Sequence, residues 1–315
     1  LRSETSKTGP VVKIKAHISF FLYLFYATVK KKYDFLLFYG PVPTFIIIGL
    51  FARLVNQNVV YFMSDIQSKN SNHLSAILKR NLFNAVDIIL ANLSNHIIIL
   101  GTSKLLNHYV HFAPRTPKTQ ILPPIDTDMF LKGNGEWFRH RYNLQGKKII
   151  TYSGTLDGIE GIDILMSALA TVKEKIPDCI LVLAGQPSPV DYAIGRKVDY
   201  EKMANRIGVK EHTLFTGHLP MKDIIDLLAA SGLLVMPKID HPANQVASPI
   251  KIAEYMAAGR PIISSRVCEL DQHLNNMEHV IFCKPGDVSD LAEKICLVLN
   301  NKELKESLSK NARSC

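Results

Sequence analysis

The chain has few cysteines and no long hydrophobic run, and each shortage excludes a class of protein. Its 315 residues contain five cysteines and no CxxC pair. We therefore expect reduced, buried thiols rather than a disulfide framework or a zinc site. The apolar runs at 18–29 and 44–55 hold only 12 residues each, whereas a helix needs roughly 20 residues to cross a bilayer. No membrane-spanning helix is expected.

The sequence also lacks the short motifs of several common enzyme chemistries. It contains no nucleophile elbow, no HExxH, no P-loop and no GxGxxG, so none of the chemistries that depend on them has a local signature here. The chain begins at Leu1 without a visible signal peptide, and the glycine-rich turn that normally follows the first strand of a doubly wound domain is missing. We therefore expect a truncated sequence that has lost the opening part of its first domain.

What is present is a globular composition with an uneven charge. Apolar residues make up 47% and charged residues 21%, and the length suits two α/β domains. The formal net charge is +9, and residues 1–144 hold 17 Lys and Arg against 7 Asp and Glu. Because no basic helix or aromatic–basic interleaving accompanies this charge, we expect an anionic membrane surface or a phosphorylated acceptor as partner, and no nucleic acid.

The second half alternates strands and helices at a regular spacing. Apolar runs of four to six residues, typical of strands buried on both faces, predict strands at 148–153, 180–184, 213–216, 233–236, 262–265 and 280–283. Helical patterns lie at 162–175, 199–207, 221–230, 250–258, 289–299 and about 302–311. This alternation indicates right-handed βαβ crossovers and a parallel sheet.

The first half shows the same architecture with fewer elements. Strands are predicted at 35–39, 58–62, 96–100 and 119–122, and a helix at 73–93, where the apolar run 88–90 leaves a strand as the alternative. Pro123 and Pro124 stop any continuing element. We place the domain boundary near 140, which gives domains at 1–140 and 141–315. Ligands are expected at the carboxyl ends of the strands, in the cleft between the two halves.

Segment 248–261 combines a helix start with a phosphate-binding pattern. Ser248 suits the N-cap and Pro249 the first helical position, and the unpaired amides at this end of the helix favour a phosphate. Lys251 adds a positive charge in the first turn, and Glu254, at i+3, shares its face. An ordinary capped helix with a solvated Lys–Glu pair is the alternative.

The run SPIKIAEYMAAGRPII at 248–263 resembles the nucleotide-sugar segment of glycosyltransferase family 4, a large retaining family of GT-B fold. The proline turn at 122–130 resembles that family's interdomain segment. The resemblance implies an α/β protein with two Rossmann-like doubly wound parallel-sheet domains that face each other across a cleft. The acceptor-side domain comes first and the nucleotide-sugar domain second.

The resemblance also implies an activity. A sugar would move from a UDP- or GDP-sugar to a saccharide or lipid-linked acceptor with retention, in cell-surface polysaccharide or glycolipid synthesis. Such enzymes are expected to need no cofactor, no metal and no protein nucleophile, because the phosphate leaving group is stabilised electrostatically. We expect a cytoplasmic protein, peripheral at the inner face of the membrane.

The same resemblance assigns roles to individual residues. Catalytic roles fall on Lys251, Glu254 and Asp65. Donor binding falls on Gly154, Thr155, Gly185, His218, Leu219, Lys238, Ser248, Pro249, Ile250, Lys251 and Glu254. Taken singly, the glycines could serve as turn residues, and Asp65 could cap the next turn.

Three positions depart from the family pattern. The Arg that usually follows the glycine is Thr155, the Lys five residues later is Glu160, and the Glu that usually holds the donor sugar is Val246. Glu160 would repel a phosphate placed there. Asp240, Asn244 or Gln245 could take the role of the missing sugar-binding glutamate. We expect Lys251, with Lys238, to supply the charge of the diphosphate site.

Two other functions stay open. A non-catalytic or degenerate nucleotide-sugar binder is favoured by the departures at 155 and 160. A nucleotide-sugar 2-epimerase of the same fold would need more catalytic carboxylates and histidines at the cleft than this sequence offers.

Overall fold

The computed structural model describes residues 10–64, 74–189, 191, 195 and 197–314. The chain divides into two compact units, residues 1–122 and 123–315. The division lies after Leu122 rather than near 140. The reason is that helix Gly135–Arg141 packs against helix Met221–Ala230, and Phe138 lies in one core with Ile149 and Leu227.

The first unit is built on a parallel sheet of four described strands in the order β1-β2-β3-β4. These strands are β1 Phe35–Tyr39, β2 Asn58–Met63, β3 His96–Leu100 and β4 Lys118–Ile121. Its helices are α1 Pro10–Val29, α2 Thr44–Leu54, α3 Leu74–Leu93 and α4 Ser103–Phe112. All four predicted strands are present within one residue at each end, and α3 is a helix rather than a strand.

A buried carboxylate ties the helices of this unit to its sheet. Asp87 on α3 accepts hydrogen bonds from the Tyr61 hydroxyl on β2 at 2.6 Å and from the Tyr109 hydroxyl on α4 at 2.9 Å. Burial, followed by the negative charge of Asp87, raises the pKa of both tyrosines. The phenols therefore stay protonated and keep their donor role.

The second unit is a doubly wound parallel sheet in the order β10-β9-β8-β5-β6-β7. Its strands are β5 Lys148–Ser153, β6 Cys179–Ala184, β7 Thr213–Gly217, β8 Leu233–Met236, β9 Ile262–Ser265 and β10 Ile281–Cys283. β5, β8 and β9 have the predicted bounds. The central strands β5 and β8 are buried along almost their whole length, as the unbroken apolar runs indicate.

The helices of the second unit cover both faces of this sheet. They are α5 Thr127–Phe130, α6 Gly135–Arg141, α7 Ile162–Lys175, α8 Tyr200–Arg206, α9 Met221–Ala230, α10 Pro242–Val246, α11 Ile250–Ala257, α12 Val288–Asn300 and α13 Lys302–Ser314. Short 3₁₀ turns occur at Gly158–Glu160, Lys210–His212 and Leu270–Gln272. Two large core clusters, one containing α7 and α12 and the other containing α11, hold the layers together.

Several helices were not predicted from the sequence. α1, α2 and α4 lie in the first unit, and the short α5, α6 and α10 lie in the second. The apolar runs at 18–29 and 44–55 lie within α1 and α2 or at their ends. No helix among the described residues is long and apolar enough to cross a membrane. Cys179, Cys268, Cys283 and Cys296 are unpaired thiols.

Candidate functional site

Two glycines bring the ends of β5 and β6 into close contact. Gly154 follows β5 and donates its amide hydrogen to the Ala184 carbonyl oxygen at 2.8 Å. Gly185 follows β6 with φ at +152°, and a β-carbon at this position would lie 1.8 Å from the Gly154 carbonyl oxygen. No other residue fits at 185, so this glycine is required by packing as well as by backbone conformation.

The main charged feature at this edge is a carboxylate held between two lysines. Glu160 ends the turn after β5, Lys238 follows β8, and Lys251 lies in the first turn of α11. Lys251 Nζ donates to Glu160 Oε2 at 2.8 Å, and Lys238 Nζ donates to Glu160 Oε1. All three side chains are mostly buried, with 8%, 14% and 16% exposure for Lys238, Lys251 and Glu160. We call these residues the Lys–Glu–Lys cluster.

The cluster has a defined electrostatic state. Burial raises the pKa of the Glu160 carboxyl, but the positive charges of Lys251 and Lys238 outweigh burial and lower it to about 2. Burial lowers the pKa of Lys251, and Glu160 opposes that effect. Glu160 is therefore ionised at neutral pH.

Tyr152 fixes the position of Lys251. Lys251 Nζ donates to the Tyr152 hydroxyl at 2.8 Å and lies 4.1 Å from the centroid of its ring. The same hydroxyl lies 2.8 Å from the Thr155 carbonyl oxygen and 3.0 Å from Glu160 Oε2. A β-carbon at Gly154 would lie 2.9 Å from Lys251 Nζ. The ammonium group therefore lies directly over the Gly154 backbone.

Lys238 is fixed from its other side by Asn244 on α10. Lys238 Nζ donates to Asn244 Oδ1 at 3.0 Å, and Asn244 Nδ2 donates to the Ile159 and Ile239 carbonyl oxygens. Asn244 is only 2% exposed. Its amide is thus fully used within the protein, which leaves it poorly suited to replace the sugar-binding glutamate. The other two candidates for this replacement, Asp240 and Gln245, bind each other: Asp240 Oδ1 accepts a hydrogen bond from Gln245 Nε2.

The start of α11 differs from the prediction in one detail. The helix begins at Ile250 with Pro249 as its N-cap, so Ser248 lies one residue before the capping position. Pro249 has φ −75° and ψ 110°, and its carbonyl accepts from the Ile252 amide at 3.2 Å. The expectation of a Ser248 cap is wrong because Pro249 takes the extended conformation that precedes a helix. The amides of Ile250 and Lys251, which precede Ile252, still lack intrahelical partners.

Glu254 lies one turn further along α11 and is not paired with Lys251. Among the described residues its carboxylate has no salt bridge, because Lys251 pairs with Glu160 instead. Burial raises the pKa of Glu254, and the charge of Lys251 opposes the rise. The solvated Lys–Glu pair that the sequence allowed is therefore not formed, and the Glu254 carboxylate is available to a ligand.

The other predicted residues are less tightly placed. Thr155 and His218 are exposed, and Leu219 is buried at 8% exposure. Gly217, at the end of β7, has φ +69°. Asp65 lies outside the described residues. No group of three His, Cys, Asp or Glu side chains that could hold a metal occurs in the described part of the chain.

Sequence reasoning missed two parts of this arrangement. Tyr152 and Asn244 organise the lysines, and neither was assigned such a role. Glu160 was treated as a charge that repels phosphate, whereas it binds both lysines. One signal in the sequence could have indicated this arrangement. A lysine of the family is replaced by Glu160, and the same chain has lysines at 238 and 251 that could pair with that glutamate.

The strand order and the position of these groups define a class of protein. The sheet order reverses between β5 and β8, and Gly154, Glu160 and Lys238 follow these two strands. Such a switch point at the carboxyl edge is where doubly wound domains bind nucleotides. Residues 136–314 match the family described as glycosyl transferases group 1. Since the match covers more than half of the chain, this protein belongs to that family.

Individual relatives agree with this assignment. Lipopolysaccharide glucosyltransferase WaaG of Escherichia coli is 25% identical over 229 residues, which is 70% of this chain and 57% of WaaG. Glycogen synthase of Mycobacterium tuberculosis is 27% identical over 176 residues, which is 56% of this chain and 40% of that enzyme. The chain spans about half the length of the curated relatives it matches.

Solved structures show the same fold. The crystal structure of Anabaena HepE in complex with UDP aligns with a TM-score of 0.71 at 19% identity and covers 92% of this chain and 75% of its own. The crystal structure of WaaG aligns with a TM-score of 0.70 at 18% identity and covers 96% of this chain and 75% of its own. The fold is the α/β GT-B fold of group 1 glycosyltransferases.

Proposed function

We propose that this protein is a glycosyltransferase that moves a sugar from a UDP- or GDP-sugar to a saccharide or lipid-linked acceptor with retention. The observation that supports it is the Lys–Glu–Lys cluster beside the Gly154 backbone, at the start of α11 and one turn from an unpaired Glu254. The HepE structures contain UDP and UDP-glucose, which is consistent with a nucleotide-sugar donor here.

Each group has a role that follows from its chemistry. The donor diphosphate lies against Gly154 and the first amides of α11, where the helix dipole and Lys251 balance its charge. An ammonium group has three N–H donors, and the hydrogen bonds of Lys251 to Tyr152 and Glu160 use two of them. The third is therefore left for a phosphate oxygen. Glu254 accepts hydrogen bonds from the ribose hydroxyls, which suits either nucleotide.

Catalysis then consists of stabilising the leaving diphosphate. The C–O bond between the sugar and the diphosphate breaks, and the electron pair leaves with the phosphate oxygen. The acceptor hydroxyl attacks the same face of the sugar and passes its proton to the departing phosphate oxygen. Lys251 and the α11 amides stabilise the negative charge that develops on the phosphate, an effect worth several kcal/mol in a preorganised site.

Nucleotide release from a panel of UDP- and GDP-sugars tests this proposal on the full chain. We expect release with at least one donor, and a loss of at least about 100-fold in kcat/KM for Glu254→Gln and for Lys251→Ala. Glu303→Gln, an exposed carboxylate on α13, is the matched control and should leave release unchanged. Full activity of both site variants would contradict the assignment.

A non-catalytic nucleotide-sugar binder is the second candidate. It is favoured by the contacts that Glu160 makes, because they engage both lysines and Thr155 supplies no charge. Tight binding of a nucleotide sugar without release of nucleotide from any donor, with or without acceptor, would identify the protein as this binder.

We further propose that the carboxyl end of α1, together with the lysines that directly follow it, contacts an anionic membrane surface. Lys30, Lys31 and Lys32 are exposed there, and Lys32 Nζ lies 4.9 Å from the Tyr26 ring centroid and 5.7 Å from that of Tyr23. Adjacent cationic and aromatic side chains suit the interface of an anionic bilayer.

A further inference from the structure

A cavity of the second unit lies at the opposite edge of the sheet from the Lys–Glu–Lys cluster. It has a volume of about 940 Å³ and is bounded by Ser231 and Gly232, which precede β8, and by Pro261, which precedes β9. α6 and α13 form its sides. The cavity therefore opens at the amino ends of the strands, where the proposed transferase function assigns no ligand.

The lining of this cavity is strongly basic. Two carboxylates, Glu136 and Glu306, face five cations. These cations are Arg139, Arg260, Lys305, Lys310 and Arg313. Within the described chain, none of the three arginines has a carboxylate oxygen within salt-bridge distance. The lining of the cavity therefore carries a net positive charge.

Part of this charge has a structural explanation. Arg139 donates to the Ala230 carbonyl oxygen at 2.5 Å, and Arg260 donates to the Ala229 carbonyl oxygen. These bonds satisfy the carboxyl end of α9, where cations are favoured by the helix dipole. Two arginines thus stabilise a helix end.

The remaining features are not explained by helix capping. The Nε of Arg260 is buried without a hydrogen-bond partner. The pKa of Arg260 is lowered first by burial and then by the positive charges of Arg139 and Arg313. The Arg313 guanidinium lies on Gly259, where a β-carbon would come within 2.8 Å of Arg313 Nε. Arg313 is exposed, and no hydrogen bond of its guanidinium to a described residue is found.

We propose that this cavity is an anion site that binds the phosphoryl group of a small phosphate-bearing ligand. Arginine presents a planar pair of N–H donors that matches two phosphate oxygens, and Arg313 has its donors free for such contacts. A cavity of this volume accepts a ligand larger than inorganic phosphate, such as a sugar phosphate. The proposal is independent of the transferase reaction.

Titration calorimetry of the full chain with pyrophosphate, at low and at physiological salt, tests the site. We expect saturable binding that persists in Lys251→Ala, which removes the donor-site cation, and that weakens at least tenfold when Arg313→Gln is added to Lys251→Ala. Lys310→Gln should weaken binding less. Lys302→Gln, on the same helix but outside the cavity lining, is the matched control and should bind as the unmodified chain does.

Two further results separate the outcomes. Arg313 is exposed, so its variant should keep the unmodified melting temperature, and a tungstate soak of crystals should place density at the arginines. Absence of saturable pyrophosphate binding, or binding lost in Lys251→Ala but kept in Arg313→Gln, would overturn the proposal. Neither result bears on nucleotide release, which tests the transferase separately.

Discussion

Glu160 determines the net charge and the position of the two lysines in the Lys–Glu–Lys cluster. A lone glutamate beside a diphosphate would repel it, but here each carboxylate oxygen accepts from a different ammonium group. The carboxylate removes one positive charge and holds both lysines, of which Lys251 lies next to Gly154. A lysine pair without it would repel itself across the same space. We therefore propose that Glu160 is a positioning residue rather than a direct ligand of the donor.

Removal of the Glu160 charge should change the acid stability of the protein. The folded pKa of about 2 lies below the ordinary carboxyl value of 4.5, so the ionised group stabilises the fold above about pH 4.5. That contribution, at most about 3 kcal/mol, is lost as the pH falls from 4.5 to 2. Urea denaturation of Glu160→Gln should show lower stability at pH 7 and a flatter decline over this window.

An exposed carboxylate provides the control for that measurement. Glu303→Gln should keep both the unmodified stability at pH 7 and the unmodified acid dependence. If Glu160→Gln were as stable as the unmodified chain at pH 7, with the same slope below pH 4.5, the charged cluster would carry no net stabilisation.

At the scale of elements, the contact between the ends of β5 and β6 shapes the carboxyl edge of the sheet, where we propose that the donor binds. The two strand ends approach so closely that the backbone of one occupies the space of a side chain on the other. Gly185→Ala would place a β-carbon 1.8 Å from a backbone oxygen. We expect this variant to lose about 4 kcal/mol or more in urea denaturation, or to fail to fold.

A second glycine separates this clash from simple backbone strain. Gly208 also has a positive φ, +73°, but a β-carbon there would meet nothing within 4 Å. Gly208→Ala should cost only about 1 kcal/mol, from the left-handed conformation alone. Equal losses for the two variants would mean that the strand ends can separate without cost.

The three lysines that follow α1 make the membrane proposal testable. Replacement of Lys30, Lys31 and Lys32 by Gln should reduce co-sedimentation with vesicles that contain anionic lipid, since each lysine near the surface contributes about 1 kcal/mol. Binding of the unmodified chain should weaken with added salt. Equal binding to neutral vesicles would remove the electrostatic basis of the proposal.

At the scale of the whole molecule, the described charge cluster, α11 and Glu254 all belong to the second unit. Ligand binding should therefore stabilise that unit. UDP or GDP at about 100 times its Kd should add about 2.7 kcal/mol to the free energy of unfolding, which corresponds to a rise of roughly 5–10 °C in Tm. Differential scanning calorimetry measures this shift.

The variants of the two proposed anion sites should respond differently in that experiment. Lys251→Ala should lose most of the shift, whereas Arg313→Gln should keep it, because its cavity lies at the other edge of the sheet. A nucleotide that stabilises Lys251→Ala as much as the unmodified chain would place the donor away from α11.

The sequence by itself determined the architecture and the family of this protein. Hydrophobic runs and helical spacing gave the bounds of β5, β8, β9, α7 and α9 without error, because these patterns depend on neighbours along the chain. The segment around α11 carried the family likeness in the same way, through the local order of its residues. Even the unusual glutamate at 160 was visible as a departure.

Only the tertiary structure decided what that departure means. Glu160 meets partners 78 and 91 residues away, and Gly185 is required by a carbonyl group 31 positions earlier in the chain. No local pattern records such contacts, because parallel strands bring their ends together through crossovers of many residues. The sign and the availability of each charge in the site depend on this assembly, and so does the arginine cavity at the opposite edge.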